Sequence, residues 1–132
     1  MQGPERGDVT TTPLGDMWMD DGVLVHKITH FDVITSEQAS DVVQAVKRLT
    51  KGEPTVAVVD IRAVGYALPE ARNAFAGSPD DSGEIATALI VANAASQAMA
   101  KTFLLFSTPA RPIKVFTNVQ AAFRWARAFQ TP

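Results

Sequence analysis

His26 and His30 stand four residues apart, with Asp32 close behind. On a helix that spacing would put both imidazoles on one face as a pair of metal ligands. Here they fall on and just after a segment that reads as a strand, where a four-residue step carries no such meaning. No third or fourth ligand accompanies them, so surface histidines and no metal are the expectation. The sequence has no cysteine, which removes thiolate nucleophiles, disulfides and Cys-based zinc or iron–sulfur sites. Ser36, Ser40, Ser78, Ser82, Ser96 and Ser107 supply hydroxyls, yet none sits in a G-x-S-x-G nucleophile elbow. There is also no G-x-x-x-x-G-K-[ST] phosphate loop and no strand-linked G-x-G-x-x-G. The inventory therefore predicts no catalytic residue, no cofactor and a non-enzymatic protein.

The elements that would carry any site follow from hydrophobic period. Met17-Trp18-Met19 and Val23-Leu24-Val25 flank Asp20-Asp21-Gly22, an Asp-Gly turn that predicts a β-hairpin. Thr35-Ser36-Glu37-Gln38 has capping-box spacing, and Ala39, Val42, Val43, Val46 and Leu49 continue an apolar helical stripe that Gly52 ends. The unbroken Thr55-Val56-Ala57-Val58-Val59 suits a strand covered on both faces. Pro69 opens a short helix through Phe75, Ile85 to Val91 is a second buried-strand candidate whose alanines also allow a helix, and Asn93 caps a third helix. That third helix is expected to turn Ala95, Ala98, Met99 and Phe103 inward. Ile113 to Phe116 is a short strand. Thr117-Asn118-Val119-Gln120 repeats the capping spacing before a last helix striped by Val119, Ala122, Phe123, Ala126 and Phe129.

The expected order is β-β-α-β-α-β-α-β-α: an α/β fold with a mixed, mostly parallel sheet, an N-terminal β-hairpin and about four helices. Residues 1–13, rich in Gly, Pro and Thr, read as a flexible N-terminal tail, and 14–132 as a single domain. Such sheets bind ligands beyond the carboxyl ends of their strands, which marks Asp60, Arg62, Tyr66, Glu70, Asn93 and Ser96 as a candidate partner or ligand surface. Arg124, Trp125 and Arg127 on the last helix form a candidate dimer or docking face, since Trp and Arg are enriched at interface hot spots, while the large apolar area of Trp125 equally suits completing the core over the helix flank. Phe103-Leu104-Leu105-Phe106 cannot all face one core from a regular helix, and part of that run should meet another element or subunit.

Bulk properties narrow the partners. A net charge of -2 gives no broad cationic field, so nucleic acid is not expected. No apolar run approaches the roughly 18 residues of a spanning helix, so membrane insertion is not expected and a cytoplasmic protein is.

Val56-Ala57-Val58-Val59-Asp60-Ile61-Arg62, Ile113-Lys114-Val115-Phe116-Thr117-Asn118 and Val119-Gln120-Ala121-Ala122-Phe123-Arg124-Trp125 together resemble the STAS-like family. Its bacterial single-domain members are similar to the sporulation anti-sigma-factor antagonist and have the SpoIIAA-like fold. The three stretches match that family's central strand, its final strand and its closing helix, and the resemblance spans roughly Gly15 to Phe129. It implies regulation through a protein partner or a homodimer. In the regulatory antagonists a phosphorylatable serine opens the helix after the central strand. Here that stretch reads Tyr66-Ala67-Leu68-Pro69-Glu70-Ala71, without serine or threonine. The switch does not carry over, and Glu70 supplies a permanent negative charge at the helix start. The alternative is a small-molecule or lipid-binding domain, with an apolar pocket of roughly 300 Å³ or more between the third helix and the sheet.

Overall fold

The computed structural model describes residues 9–12, 14–29, 31–76, 84–106 and 111–130; for 31–33, 66–67, 75–76 and 106 it describes the backbone alone. The chain runs β1 (Thr10–Thr12), β2 (Gly15–Asp20), β3 (Val23–Ile28), β4 (Phe31–Ile34), α1 (Ser36–Thr50), β5 (Thr55–Asp60), β6 (Val64–Ala67), α2 (Pro69–Ala76), β7 (Glu84–Ile90), α3 (Ala94–Phe106), β8 (Ile113–Phe116) and α4 (Val119–Arg127). Six strands form one sheet in the order β1-β2-β3-β5-β7-β8, and β4 pairs with β6 in a second, two-stranded sheet.

β1, β2 and β3 are antiparallel neighbours, with Asp20 opposite Val23 across the Asp21-Gly22 turn. From β3 onward the sheet is parallel. Each parallel step needs a crossover, and right-handed crossovers progressing in one direction stack their helices on one face. α1, α2 and α3 accordingly share a core with Leu24, Ile28, Ala57, Ile61, Leu89 and Val91. The alternate residues Val23, Val25, Val56, Val58, Ala88 and Ile90 face the other way, onto Ala122 and Ala126 of α4. Burial on both faces explains the unbroken apolar runs of β5 and β7, and each fully buried Val or Leu is worth about 1.5–3 kcal/mol.

The helix ends follow their sequence signals where a side chain can reach. Thr35 caps α1 in a complete capping box: Gln38 donates its backbone N–H to Thr35 Oγ1, and its side-chain Oε1 accepts from Thr35 N at 2.9 Å. At the other end Lys51 and Gly52 both take left-handed φ, 58° and 72°. α4 departs from expectation, because Asn118 alone is its cap, accepting from Ala121 N at 2.8 Å.

Three strands were not expected. Thr10–Thr12 of the expected tail pairs in register with Gly15–Met17, and Thr12 is buried. Ladder hydrogen bonds to β2 supply what apolar content does not. β4 and β6 pair in parallel, Val33 opposite Tyr66 and Ile34 opposite Ala67. Four-residue strands that pair only with each other leave no pattern to read. α3 also turns a different face inward: Ser96, Ala100 and Phe103 are buried and Met99 half-buried, while Ala95 and Ala98 are exposed.

Gly15 lies where β2 folds against β3, at φ 138°, and an added Cβ would collide with the carbonyl oxygen of Lys27. Gly52, by contrast, opens into free space. Gly15→Ala should therefore lower the unfolding free energy by more than about 3 kcal/mol and Gly52→Ala by about 1 kcal/mol, read from urea denaturation of both variants. Equal losses would show that the close approach at Gly15 is not a constraint.

Candidate functional site

At the carboxyl end of β5 the chain turns sharply, and Asp60 locks the turn. Its carboxylate accepts from Arg62 Nε at 3.0 Å, from Arg62 Nη2 at 2.7 Å and from the Arg62 backbone N–H at 3.0 Å. Burial alone would push the Asp60 carboxyl up, but these bonds, with the charges of Arg62 and Lys27, hold it below the usual carboxylate range. A two-pronged pair of this kind is geometrically specific, and it leaves the Arg62 side chain 42% exposed. Tyr66 follows on β6. The β4–β6 pairing then places the entry to α2, because Leu68 N donates to Ile34 O at 3.0 Å. Pro69 and Glu70 occupy the exposed first turn of α2. Asp60, Arg62 and Glu70 thus flank one strand-to-helix connection.

Asn93 and Ser96 serve the third connection differently. Asn93 Oδ1 accepts from Ser96 N at 2.8 Å, while Ser96 Oγ accepts from Ala92 N at 2.9 Å. Ser96 is wholly buried, so it is part of the α3 cap and not of a surface, whereas Asn93 is exposed.

On α4, Trp125 is half-buried between Phe116 at 5.8 Å and Phe129 at 4.7 Å between ring centroids. Arg127 reaches Asp20 at 3.8 Å and Asp21 at 3.6 Å, pinning the helix to the β2–β3 hairpin. Arg124 is exposed. Leu104 and Leu105, 36% and 64% exposed, border a shallow open trough of about 500 Å³ between α3 and β8.

A smaller cavity of about 90 Å³ lies inside, between the sheet and the three crossover helices. Leu24, Val42, Val46, Leu89, Met99 and Phe103 are among its walls. It is smaller than the pocket expected from sequence, and Ala95 and Ala98 take no part in it. The polar residues lining it are His26, Arg72, Glu84, Thr87 and Arg111. Glu84, Thr87 and Arg111 bind one another: Thr87 Oγ1 donates to Glu84 at 2.8 Å and Arg111 Nε donates to Thr87 Oγ1 at 2.8 Å.

His26 overturns the expectation of a surface histidine. It is 4% exposed, because on β3 it alternates with Val25 and faces inward with Leu24 and Ile28. Burial pushes its pKa down to about 4, against a small upward pull from Asp16. The ring is therefore neutral at pH 7. Nothing in the local sequence marks it, since an imidazole in an alternating strand faces either side according to register. His30 lies outside the described residues. Among the described residues, no group of three His, Asp or Glu side chains is placed to hold a metal ion, and no helix is long and apolar enough to cross a membrane.

The mixed six-stranded sheet, with three helices on one face and one on the other, is a SpoIIAA-like fold. The chain is similar to an anti-sigma factor antagonist from Mycobacterium paratuberculosis, at 18% identity and a TM-score of 0.58, with 91% of this chain and 95% of that chain covered. It is also similar to an uncharacterised protein of the DUF3478 family with a SpoIIAA-like fold from Shewanella loihica PV-4. There the identity is 15% and the TM-score 0.58, covering 96% of this chain and 98% of the other. The chain itself belongs to the DUF7793 family, a domain of unknown function, whose match spans residues 17–130. No curated protein matches it.

The buried neutral His26 makes stability depend on pH in a definite direction. Unfolding restores an ordinary imidazole pKa near 6.5, so below that pH the unfolded chain takes up a proton that the folded chain refuses. The His26 contribution is intact above pH 6.5, falls as pH drops toward about 4 and levels off below it. It amounts to roughly 3 kcal/mol in total, from 1.36 kcal/mol per pKa unit. Urea midpoints between pH 7.5 and 4 should fall more steeply in the wild type than in His26→Leu, and parallel curves would contradict the burial.

Proposed function

We propose that this protein is a non-enzymatic interaction module of regulatory type, engaging a protein partner through the connection between β5 and α2 without a serine switch. The observation that carries the reading is the entry to α2. In a SpoIIAA-like fold, Leu68-Pro69-Glu70 puts a fixed carboxylate at the exposed first turn, on the helix that follows the central strand. A carboxylate there is favoured by the helix macrodipole. It presents a constant negative charge where phosphorylation would make charge conditional. Arg62, held by Asp60 and partly exposed beside it, adds a guanidinium of the kind enriched at hot spots. The likeness to an anti-sigma factor antagonist supports a protein partner, and a cytoplasmic setting fits a cysteine-free chain.

The test is capture of a partner by the tagged protein, compared across wild type, Glu70→Lys and Arg124→Glu. Both substitutions are on exposed positions, so circular dichroism should be unchanged. Glu70→Lys should reduce recovery of the specific partner at least tenfold, while Arg124→Glu retains it. Recovery that is identical for all three proteins would sink the reading.

Self-association is the second reading, favoured by the exposure of Leu104 and Leu105 beside β8, the last strand of the sheet. Light scattering should then give a dimer mass for the wild type and a monomer mass for Leu105→Glu. A concentration-independent monomer in both would remove this reading.

A further inference from the structure

Charge is spread unevenly along this chain. All 14 Asp and Glu residues lie at or before Glu84, and the rest of the sequence carries five Lys and Arg with no acidic side chain. Two of the five are committed, Arg111 to Glu84 at 3.3 Å and Arg127 to Asp20 and Asp21. Lys101, Lys114 and Arg124 are exposed and form no ion pair among the described residues. Lys101 stands on α3 and Lys114 on β8, the two elements that bound the open trough. β8 is also the last strand of its sheet. The carbonyls of Pro112 and Phe116, at its two ends, accept from Thr87 N and Val91 N at 3.0 and 2.8 Å. Backbone groups alternate in direction along a strand, so the N–H and C=O of Ile113 and Val115 point to the free edge, where no described strand pairs with them. The side chains of Ile113 and Val115 pack toward the three-helix core and Phe116 toward α4, which puts Lys114 on the α4 side.

We propose that the free edge of β8 binds an extended acidic and apolar segment of another protein as a seventh strand, its apolar side chains in the trough beside Leu104 and Leu105 and its carboxylates against Lys101 and Lys114. An open edge supplies main-chain pairing, and the pockets under alternate side chains supply selectivity. A strand laid here meets Lys101 on one face and Lys114 on the other, with Ala100, Leu104, Leu105 and Val115 as the apolar floor. Opposite charges across neighbouring strands stabilise the pair and like charges oppose it. Lysine on an edge strand guards against pairing with an identical edge, because a second copy joined through β8 brings Lys114 against its own kind. An acidic segment turns that guard into an attraction. Two lysines are too few for a nucleic-acid backbone, which is held by several Lys and Arg. None of Asp60, Arg62 and Glu70 lines the trough, so this surface is separate from the α2 entry.

Three labelled peptides of about eight residues, within ordinary strand length, separate the contributions: alternating Val and Glu, alternating Val and Lys, and alternating Ser and Glu. In fluorescence anisotropy the Val–Glu peptide should saturate and the Val–Lys peptide should not, while the Ser–Glu peptide should bind about tenfold or more weakly than Val–Glu. Hydrogen exchange should slow at the Ile113 and Val115 amides when the Val–Glu peptide is bound. Lys101→Glu combined with Lys114→Glu changes only exposed positions and should reverse the preference toward the Val–Lys peptide. Glu70→Lys should leave peptide binding unchanged. The proposal is overturned if no peptide saturates at millimolar concentration, if the charge-reversed protein still prefers Val–Glu, or if Ile113 and Val115 exchange as fast in the complex as in the free protein. A wild-type dimer that excludes the peptide, or binding to phosphatidylserine vesicles in its place, overturns it equally.

Discussion

The parallel pairing of β3, β5, β7 and β8 is the constraint on which this structure rests. A parallel neighbour cannot be reached by a tight turn, so each step across the sheet spends a helix on the return. Three returns of one hand bring α1, α2 and α3 to the same face, and the remaining face is left to α4. Much of the chemistry described here follows from that asymmetry. The three-helix side is thick enough to enclose a cavity, and the connections beyond the carboxyl ends of the strands carry Asp60, Arg62, Glu70 and Asn93.

The two faces are sealed by different physics. On the side of α4 the contacts are small residue to strand, Ala122 and Ala126 lying flat on Val23, Val56 and Ala88, with aromatic rings of Phe116, Trp125 and Phe129 closing the margin. Arg127 ties the helix back to Asp20 and Asp21, partly exposed pairs of modest worth individually but fixed in register by the hairpin. On the other side the interior is built of longer aliphatic chains and does not fill completely. The buried His26 lies on the wall of that unfilled space.

Glu70 illustrates how a fold and a mechanism separate. The SpoIIAA-like framework places an exposed helix start after its central strand whatever residue stands there, and framework alone does not determine use. A carboxylate at that start is locally favourable as a first-turn residue, so its presence is compatible with plain helix stabilisation as well as with recognition. The β4–β6 pair fixes the connection to α2 against the end of β4 rather than leaving it as a loose loop.

The sequence by itself determined the elements whose signals are local. The α1 capping box, the Asp-Gly hairpin, the doubly buried β5 and the proline-led α2 all follow from side chains within a few residues of one another. The Asp60 to Arg62 contact is local in the same way, spanning two positions. Tertiary structure decided what depends on register and on distant neighbours. β1, β4 and β6 exist because partners elsewhere in the chain supply their hydrogen bonds. α3 turns Ser96 rather than Ala95 inward, where its hydroxyl accepts from Ala92 N and Asn93 N at the helix start. His26 changed most. A period of two assigns a strand residue to one face or the other, and only the packed sheet says which face is dry. Adjacent to Val25 on a strand buried from both sides, either choice removed it from water, and the inward one placed it on the cavity wall.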